Sequence, residues 1–398
     1  MVIRAHSNWS QNKIDSISNL IQQYNVGGLC FFQGGPVRQA LQTNAYQSIA
    51  KTPLFIAIDA EWGLGMRLDS VESFPRQLSM GAFASSNSVY QMGAAIAAQL
   101  KRLGIQINYG PVVDINNNPS NPVINDRSFG QSKAQVIQQG IAYMKGMQDN
   151  GIMATAKHFP GHGDVNVDSH FDLPVINKSK AELDSLELVP FKALIDAGIE
   201  SIMVAHLSVP AIDDRPKYAT SISPNAVNGL LKKELGFKGI SVTDAMDMKA
   251  IANYFPQGEA NVQAILAGND MLCLPGDLGQ SIKKIRAAIK ERRLKRSDIN
   301  ARVKKILTAK YKHGLDLPQQ IDTNNIIADL NQSVGSINAE MAQQSLTFLR
   351  ATNSPILNNK TAYIAFNAKA ANVFTAAISS AYGVKVFYTN GKDANELA

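Results

Sequence analysis

The sequence predicts an α/β chain, with a TIM-type (β/α)8 barrel over residues 1–315 and the beginning of a second α/β unit from 338. Three observations carry this. Apolar, β-branched runs alternate with helical patterns along the first three quarters of the chain. The runs are continuously apolar rather than alternating, which means burial on both faces. Five of them end in a charged or imidazole side chain, as when strand ends converge on one functional rim.

The strand-like runs are 2–5, 26–32, 54–59, 106–115, 152–157, 201–206, 239–244 and 270–275, eight in all. Helical patterns occupy 10–24, 36–50, 87–103, 133–149, 181–197, 225–235 and 257–267, then 279–291 and 297–313. Eight β-α repeats in this length fit a closed barrel better than an open doubly wound sheet. Residues 316–337 lack strong apolar periodicity, include Pro318, and read as a linker or surface wrap. Beyond them come a helix (338–345), strands at 346–350, 362–366 and 384–388, and a helix at 369–382. That is part of a sheet domain with an open edge, so the sequence is expected to be a piece of a longer chain.

The formal charge of +7 suggests nucleic acid, but its distribution argues otherwise: 283–312 hold 13 of the 39 Lys and Arg against two acids, leaving 26 basic and 30 acidic groups elsewhere. A single basic helical region reads as a solvated outer face. No window is apolar for 18 residues, so no membrane span is expected. Cys30 and Cys273 lie in apolar runs and read as core residues. The chain starts directly in a strand-like run without a recognisable leader, so the compartment stays open between bacterial cytoplasm and periplasm. Oligomeric state is not readable.

The chemistry concentrates in 157–170, Lys-His-Phe-Pro-Gly-His-Gly-Asp-Val-Asn-Val-Asp-Ser-His, which holds His158, His162, His170, Asp164 and Asp168. Its glycines and proline exclude a helix and favour a loop at a strand's C-terminal end. Asp168 and His170 share a face if extended, so the carboxylate can orient the imidazole as a general acid/base. Asp244 ends the strand Gly239-Ile-Ser-Val-Thr-Asp244 and faces the same rim. A mobile acid/base dyad opposite a fixed carboxylate suits double displacement at an acetal carbon. Asp114 reads as a loop-amide acceptor, and His206 is left open between structure and chemistry.

Lys157-His-Phe-Pro-Gly-His-Gly-Asp164 with Asp168-Ser-His170 resembles the signature of glycoside hydrolase family 3 β-N-acetylglucosaminidases. Asn125-Asp-Arg-Ser-Phe-Gly130, Gly236-Phe-Lys-Gly-Ile-Ser-Val-Thr-Asp244 and Phe55-Ile-Ala-Ile-Asp59-Ala-Glu61 resemble three further motifs of that family, in order. The tail is similar to the start of the αβα sandwich that follows the barrel in two-domain members. The resemblance implies Asp244 as nucleophile, His170 as acid/base and Asp168 as its partner. It implies Asp59, Arg127, Lys157 and His158 as residues holding the sugar's hydroxyls and acetamido group. It implies a carbohydrate substrate ending in N-acetylglucosamine, on a muropeptide or chitin-type oligomer, and no cofactor or metal. Arg127 and Lys157 are expected to keep Asp244 ionised. A neutral imidazole base also leaves room for phosphate, instead of water, as acceptor.

The segment Asp59-Ala-Glu-Trp-Gly-Leu-Gly-Met-Arg67 departs from the family's Asp-Gln-Glu-Gly-Gly-Arg, with Leu64 at the first arginine position. Trp62 is then a sugar platform or a loop anchor. Three rivals remain: a zinc hydrolase using the three histidines, a family 3 glucosidase, and a non-catalytic carbohydrate-binding barrel. Pro160 and Gly161 break the helix that a His-x-x-x-His zinc pair needs.

Overall fold

A computed structural model describes residues 1–83, 85–169, 172–256, 258–317, 319–345, 360–366 and 371–389. The chain forms two compact units, Met1–Ser345 and Leu346–Ala398. In the first, seven strands form one parallel sheet in sequence order. They are β1 (Val2–Ala5), β2 (Gly28–Phe31), β3 (Phe55–Ile58), β4 (Ile107–Asn108), β5 (Met153–Phe159), β6 (Ser201–Val204) and β7 (Ile240–Thr243).

Parallel neighbours need long crossovers, and helices supply them. Gln11–Tyr24, Pro36–Ile49, Asn87–Arg102, Lys133–Gln148 and Asn225–Glu234 fall where the periodicity places helices. Local chemistry stops and starts them. Asn25 ends the first in the left-handed region. Ser179 and Glu182 form a reciprocal capping box before Lys180–Ser185. The Asp277 side chain caps Leu278–Lys290.

Side chains alternate across each strand. Ile3, Leu29, Ile56 and Ile58 join the larger apolar cluster between sheet and helices. Val2, Cys30, Phe55, Ala57, Met203 and Val242 face a second cluster on the sheet's other side. Both cysteines are buried free thiols.

The sheet curls. Val242 of β7 bridges Met271, and Val2 of β1 bridges Cys273, so one short stretch touches both edges. The strand expected at 270–275 is present as these isolated bridges rather than a ladder. Leu274 has φ +47, in the left-handed region, which ends extended pairing there. The run expected at 106–115 is likewise a two-residue strand, because Pro111 has no N–H for a ladder.

Much of the expected linker clasps the first unit. Arg102 donates to the carbonyls of Asp322 and Asn324 and pairs with Asp329. Ile326, Leu330, Val334 and Met341 are buried in the larger cluster. The helix Val334–Ser345 is held by Ser88, which donates to Glu340 at 2.6 Å. In the second unit, β8 (Ala362–Phe366) and β9 (Lys385–Thr389) pair in parallel, joined by the helix Val373–Tyr382. The strand expected at 346–350 lies outside the described residues. No described helix is long and apolar enough to cross a membrane.

The helix Arg296–Lys312 contributes one buried cation, Lys310, whose ammonium donates to the Pro53 carbonyl. Burial pushes its pKa down to about 8. Between that value and the unfolded one of about 10.4, the unfolded chain holds more protons than the folded chain. This residue therefore makes stability rise with pH across that window. The stability difference, wild type minus Lys310→Met, should increase from pH 7.5 to 10 in urea melts; a flat difference would show that the ammonium is solvated.

Candidate active site

Strand ends deliver the polar groups. Asp59 follows β3, Lys157 and His158 lie on β5, His206 follows β6 and Asp244 follows β7. Between Ala156 and Phe159 the register of β5 against β6 shifts. A cavity of about 470 Å³ gathers Asp59, Arg127, Lys157, His158 and Asp244, with His162 and Ser169 at its wall. Five of the seven expected site residues therefore meet. Asp168 is half-buried, one residue before Ser169. His170 lies outside the described residues.

The floor is an ionic network. Lys157 reaches Asp59 at 2.6 Å and Glu61 at 2.7 Å. Arg127 grips Glu61 with both arms, at 2.6 and 3.0 Å. Arg67 reaches Asp59 at 2.6 Å. Burial alone would raise the carboxyl pKa of Asp59 and Glu61. The cations outweigh it, Lys157 and Arg67 at Asp59 and Arg127 and Lys157 at Glu61, so both stay ionised. A bidentate guanidinium also fixes orientation, which a single ammonium cannot.

Asp114 builds the next layer. Its carboxylate accepts from the His158 and His162 amides, at 3.1 and 2.7 Å, and lies 2.7 Å from His158 Nδ1. It thus binds loop amides, as expected, and fixes His158 with Nδ1 as donor. His162 is buried, and burial followed by the neighbouring His158 pushes its pKa down to about 4. The loop presses closely on the strand-4 segment. A Cβ on Gly163 would stand 1.7 Å from the Ile115 carbonyl oxygen, so no side chain fits.

Asp244 differs from the other cavity carboxylates. Asp59 is paired as above, and Asp247 pairs with Arg4 at 2.9 Å. Asp244 makes no ion pair among the described residues; its Oδ1 accepts the Ala245 amide at 2.8 Å. Burial would raise its pKa, but the imidazoles of His206 and His158 and the Ala245 amide hold it below the ordinary carboxylate value. The expected suppliers, Arg127 and Lys157, are instead engaged by Glu61 and Asp59. His206 is locked by its neighbours: Nε2 lies 2.9 Å from the Ala245 carbonyl, so it donates, and Nδ1 meets the Ser221 hydroxyl at 2.7 Å.

Two residues escaped the sequence reading. Glu61 stood in a quoted motif without a role, although its i, i+2 relation to Asp59 was a usable signal. Arg67 was masked by Leu64 at the expected arginine position. Leu64 is buried in the core, and the turn Leu64–Met66 brings Arg67 back onto Asp59. Trp62 carries the Arg76 guanidinium 4.6 Å from its ring centre and does not line the cavity. That is the loop-anchor reading.

A curled parallel sheet with carboxylates and cations gathered at its strand ends places the chain in the class of α/β glycoside hydrolases. It belongs to glycosyl hydrolase family 3: the profile of the family's N terminal domain matches residues 4–309. Beta-hexosaminidase A of Pseudoalteromonas piscicida is 32% identical over 371 residues, which is 83% of this chain and 60% of that protein. The beta-N-acetylglucosaminidase/beta-glucosidase of Cellulomonas fimi is 30% identical over 343 residues, with the same coverages of 83% and 60%. This chain thus spans 60% of the length of each of these relatives. A family 3 beta-N-acetylglucosaminidase structure from Paenibacillus sp. str. FPU-7 superposes with TM-score 0.80 at 29% identity, covering 97% of this chain and 77% of that one. The beta-glucoside phosphorylase BglX shares the fold, with TM-score 0.81 at 23% identity and coverages of 97% and 78%.

The network makes Glu61 the residue whose loss costs most. In Glu61→Gln the buried Lys157 and the partly buried Arg127 lose their shared carboxylate, and breaking a buried pair costs about 3–5 kcal/mol. Urea melts should show a loss of that order, with loss of activity. Arg38→Ala, whose partner Asp69 is exposed like itself, should leave the midpoint unchanged. Equal effects would mean that solvent screens the network.

Proposed function

We propose that the protein is a retaining, exo-acting β-N-acetylglucosaminidase, cleaving terminal β-linked N-acetylglucosamine from muropeptide or chitin-type oligosaccharides. The observation that carries this reading is Asp244: a cavity carboxylate held ionised without an ion-pair partner among the described residues, beside two carboxylates that are neutralised. An ionised, uncommitted carboxylate is what nucleophilic attack at an anomeric carbon needs.

In the first step an Asp244 oxygen bonds to C1 as the bond from C1 to the leaving oxygen breaks. His170, oriented by Asp168, gives that oxygen its proton. In the second, the same imidazole takes a proton from water as the water oxygen attacks C1 and releases Asp244. Asp59, Arg127, Lys157 and His158 hold the sugar's hydroxyls and acetamido group. The roles of His170 and Asp168 rest on their match to the family motif. We read the curl as the wall of a closed (β/α)8 barrel, and the second unit as the start of an αβα sandwich. The Cellulomonas relative's name makes the unsubstituted glucoside the comparison substrate.

Release of nitrophenol from aryl β-N-acetylglucosaminide and aryl β-glucoside tests the reading. Activity should favour the acetamido sugar, fall on the order of 10³-fold or more in Asp244→Ala, and fall about 10²-fold or more in His170→Ala. Equal turnover of the glucoside would remove the N-acetyl specificity, and unchanged activity in Asp244→Ala would remove the mechanism.

The pH profile follows from the same assignment. Asp244 is held ionised to below the usual carboxylate range, so the acid limb of kcat/KM should lie below that range. A basic limb set by the imidazole that must be protonated to donate should vanish in His170→Ala. A basic limb unchanged in that variant would assign the proton donor elsewhere.

A further inference from the structure

A second cavity, of about 500 Å³, adjoins the first and is used by nothing described above. The two share Arg4, Asp247 and Leu274. Trp9, Ile17, Leu20 and Tyr24, from the β1 loop and the helix after it, and Leu278 give it an apolar stretch, with Arg4, Asp247 and Asp277 as its charged lining. It lies where the stretch 271–274 meets β1 by a single bridge instead of a ladder, and Ile3 and Arg4 of β1 line it together with the helix and loops. The indole of Trp9 is pre-ordered. It stacks on His6 at 4.5 Å between ring centres and carries Lys13 at 5.3 Å.

The boundary between the cavities is the Arg4–Asp247 pair, 2.9 Å apart and with both side chains 37% exposed. Exposed pairs of this kind are weakly held. A ligand that occupies the catalytic cavity and continues past Asp247 therefore meets a yielding polar contact, then an apolar slot large enough for a ring or an alkyl chain. Asp247 lies three residues from Asp244 and lines both cavities.

We propose that this cleft binds the leaving-group side of the substrate, and that it selects leaving groups presenting an apolar C–H surface. The inference rests on the glycosidase reading. Two leaving groups carry that chemistry: a second pyranose ring, through its C–H face, and an alkyl chain. Either buries area against Leu20, Tyr24 and Trp9 that a methyl leaving group cannot reach.

Tryptophan emission tests this without turnover. The chain has two tryptophans, Trp9 and Trp62. Trp62→Phe makes Trp9 the one reporter, and Asp244→Ala in the same chain stops cleavage. Octyl β-N-acetylglucosaminide or the β-1,4-linked N-acetylglucosamine disaccharide should shift the emission saturably, with roughly 10-fold tighter binding than the methyl glycoside. Response to the octyl compound alone assigns an alkyl group, and response to the disaccharide alone assigns a sugar. Leu20→Gln should abolish the advantage over the methyl glycoside, and Tyr24→Ala repeats the test should the first variant fold poorly. Equal affinity for all three ligands, or an advantage that survives both variants, overturns the proposal. Nitrophenol release by the Trp62→Phe parent reports separately on the catalytic reading, so the two can fail independently.

Discussion

The carboxylate of Glu61, fully buried, is held by Lys157 on one side and by both arms of Arg127 on the other. Everything around the cavity depends on that contact. A buried ammonium or guanidinium survives only if paired, because desolvation otherwise removes its charge or unfolds its surroundings. Glu61 supplies the pairing from behind the cavity. The front of Lys157 is thereby left for Asp59, and Asp59 is shared in turn with Arg67. One buried carboxylate thus orders two carboxylate–cation layers that come from three separate stretches of chain.

Those stretches converge because of the sheet, and the sheet was largely legible. The run Phe55–Ile58 is apolar at every position, and Ile240–Thr243 is buried at every position although Ser241 and Thr243 are polar, as in a strand covered on both faces. The structure divides their side chains by parity between two apolar clusters. The long runs around 106–115 and 270–275 misled in extent. Composition there is strand-like, but Pro111 and the left-handed Leu274 interrupt the ladder. Apolar content reports burial. Whether the backbone pairs is decided by single residues within the run.

In the site, residues at strand ends were legible and residues acting through others were not. Asp59, Lys157 and Asp244 announced themselves as polar groups closing apolar runs. Glu61 and Arg67 lie past the strand end, in a turn whose path composition does not reveal. The source of Asp244's ionisation was also illegible. Arg127 and Lys157 are near in any reading, but a cation already neutralised by Glu61 has little left to offer a third carboxylate. The imidazoles of His206 and His158 act there instead, and their orientations come from Ser221, Ala245 and Asp114.

This division of labour has a consequence for charge. Lys157, Arg67 and Arg127 are engaged by Asp59 and Glu61, while Asp244 has no ion pair among the described residues, so charge around the cavity is unevenly placed. The cation-rich side offers donors to hydroxyl and amide oxygens. Asp244 has no ion pair among the described residues, and on the proposed reading it faces the anomeric carbon. On the proposed reading an ion pair at Asp244 would weaken it as nucleophile and as counter-ion. Uneven placement can be kept only if the paired groups are prevented from relaxing toward Asp244. Burial of Glu61, Lys157 and Asp114 does that: each is close to fully enclosed and committed to fixed partners. The rigidity of the floor is therefore what leaves Asp244 without an ion pair among the described residues.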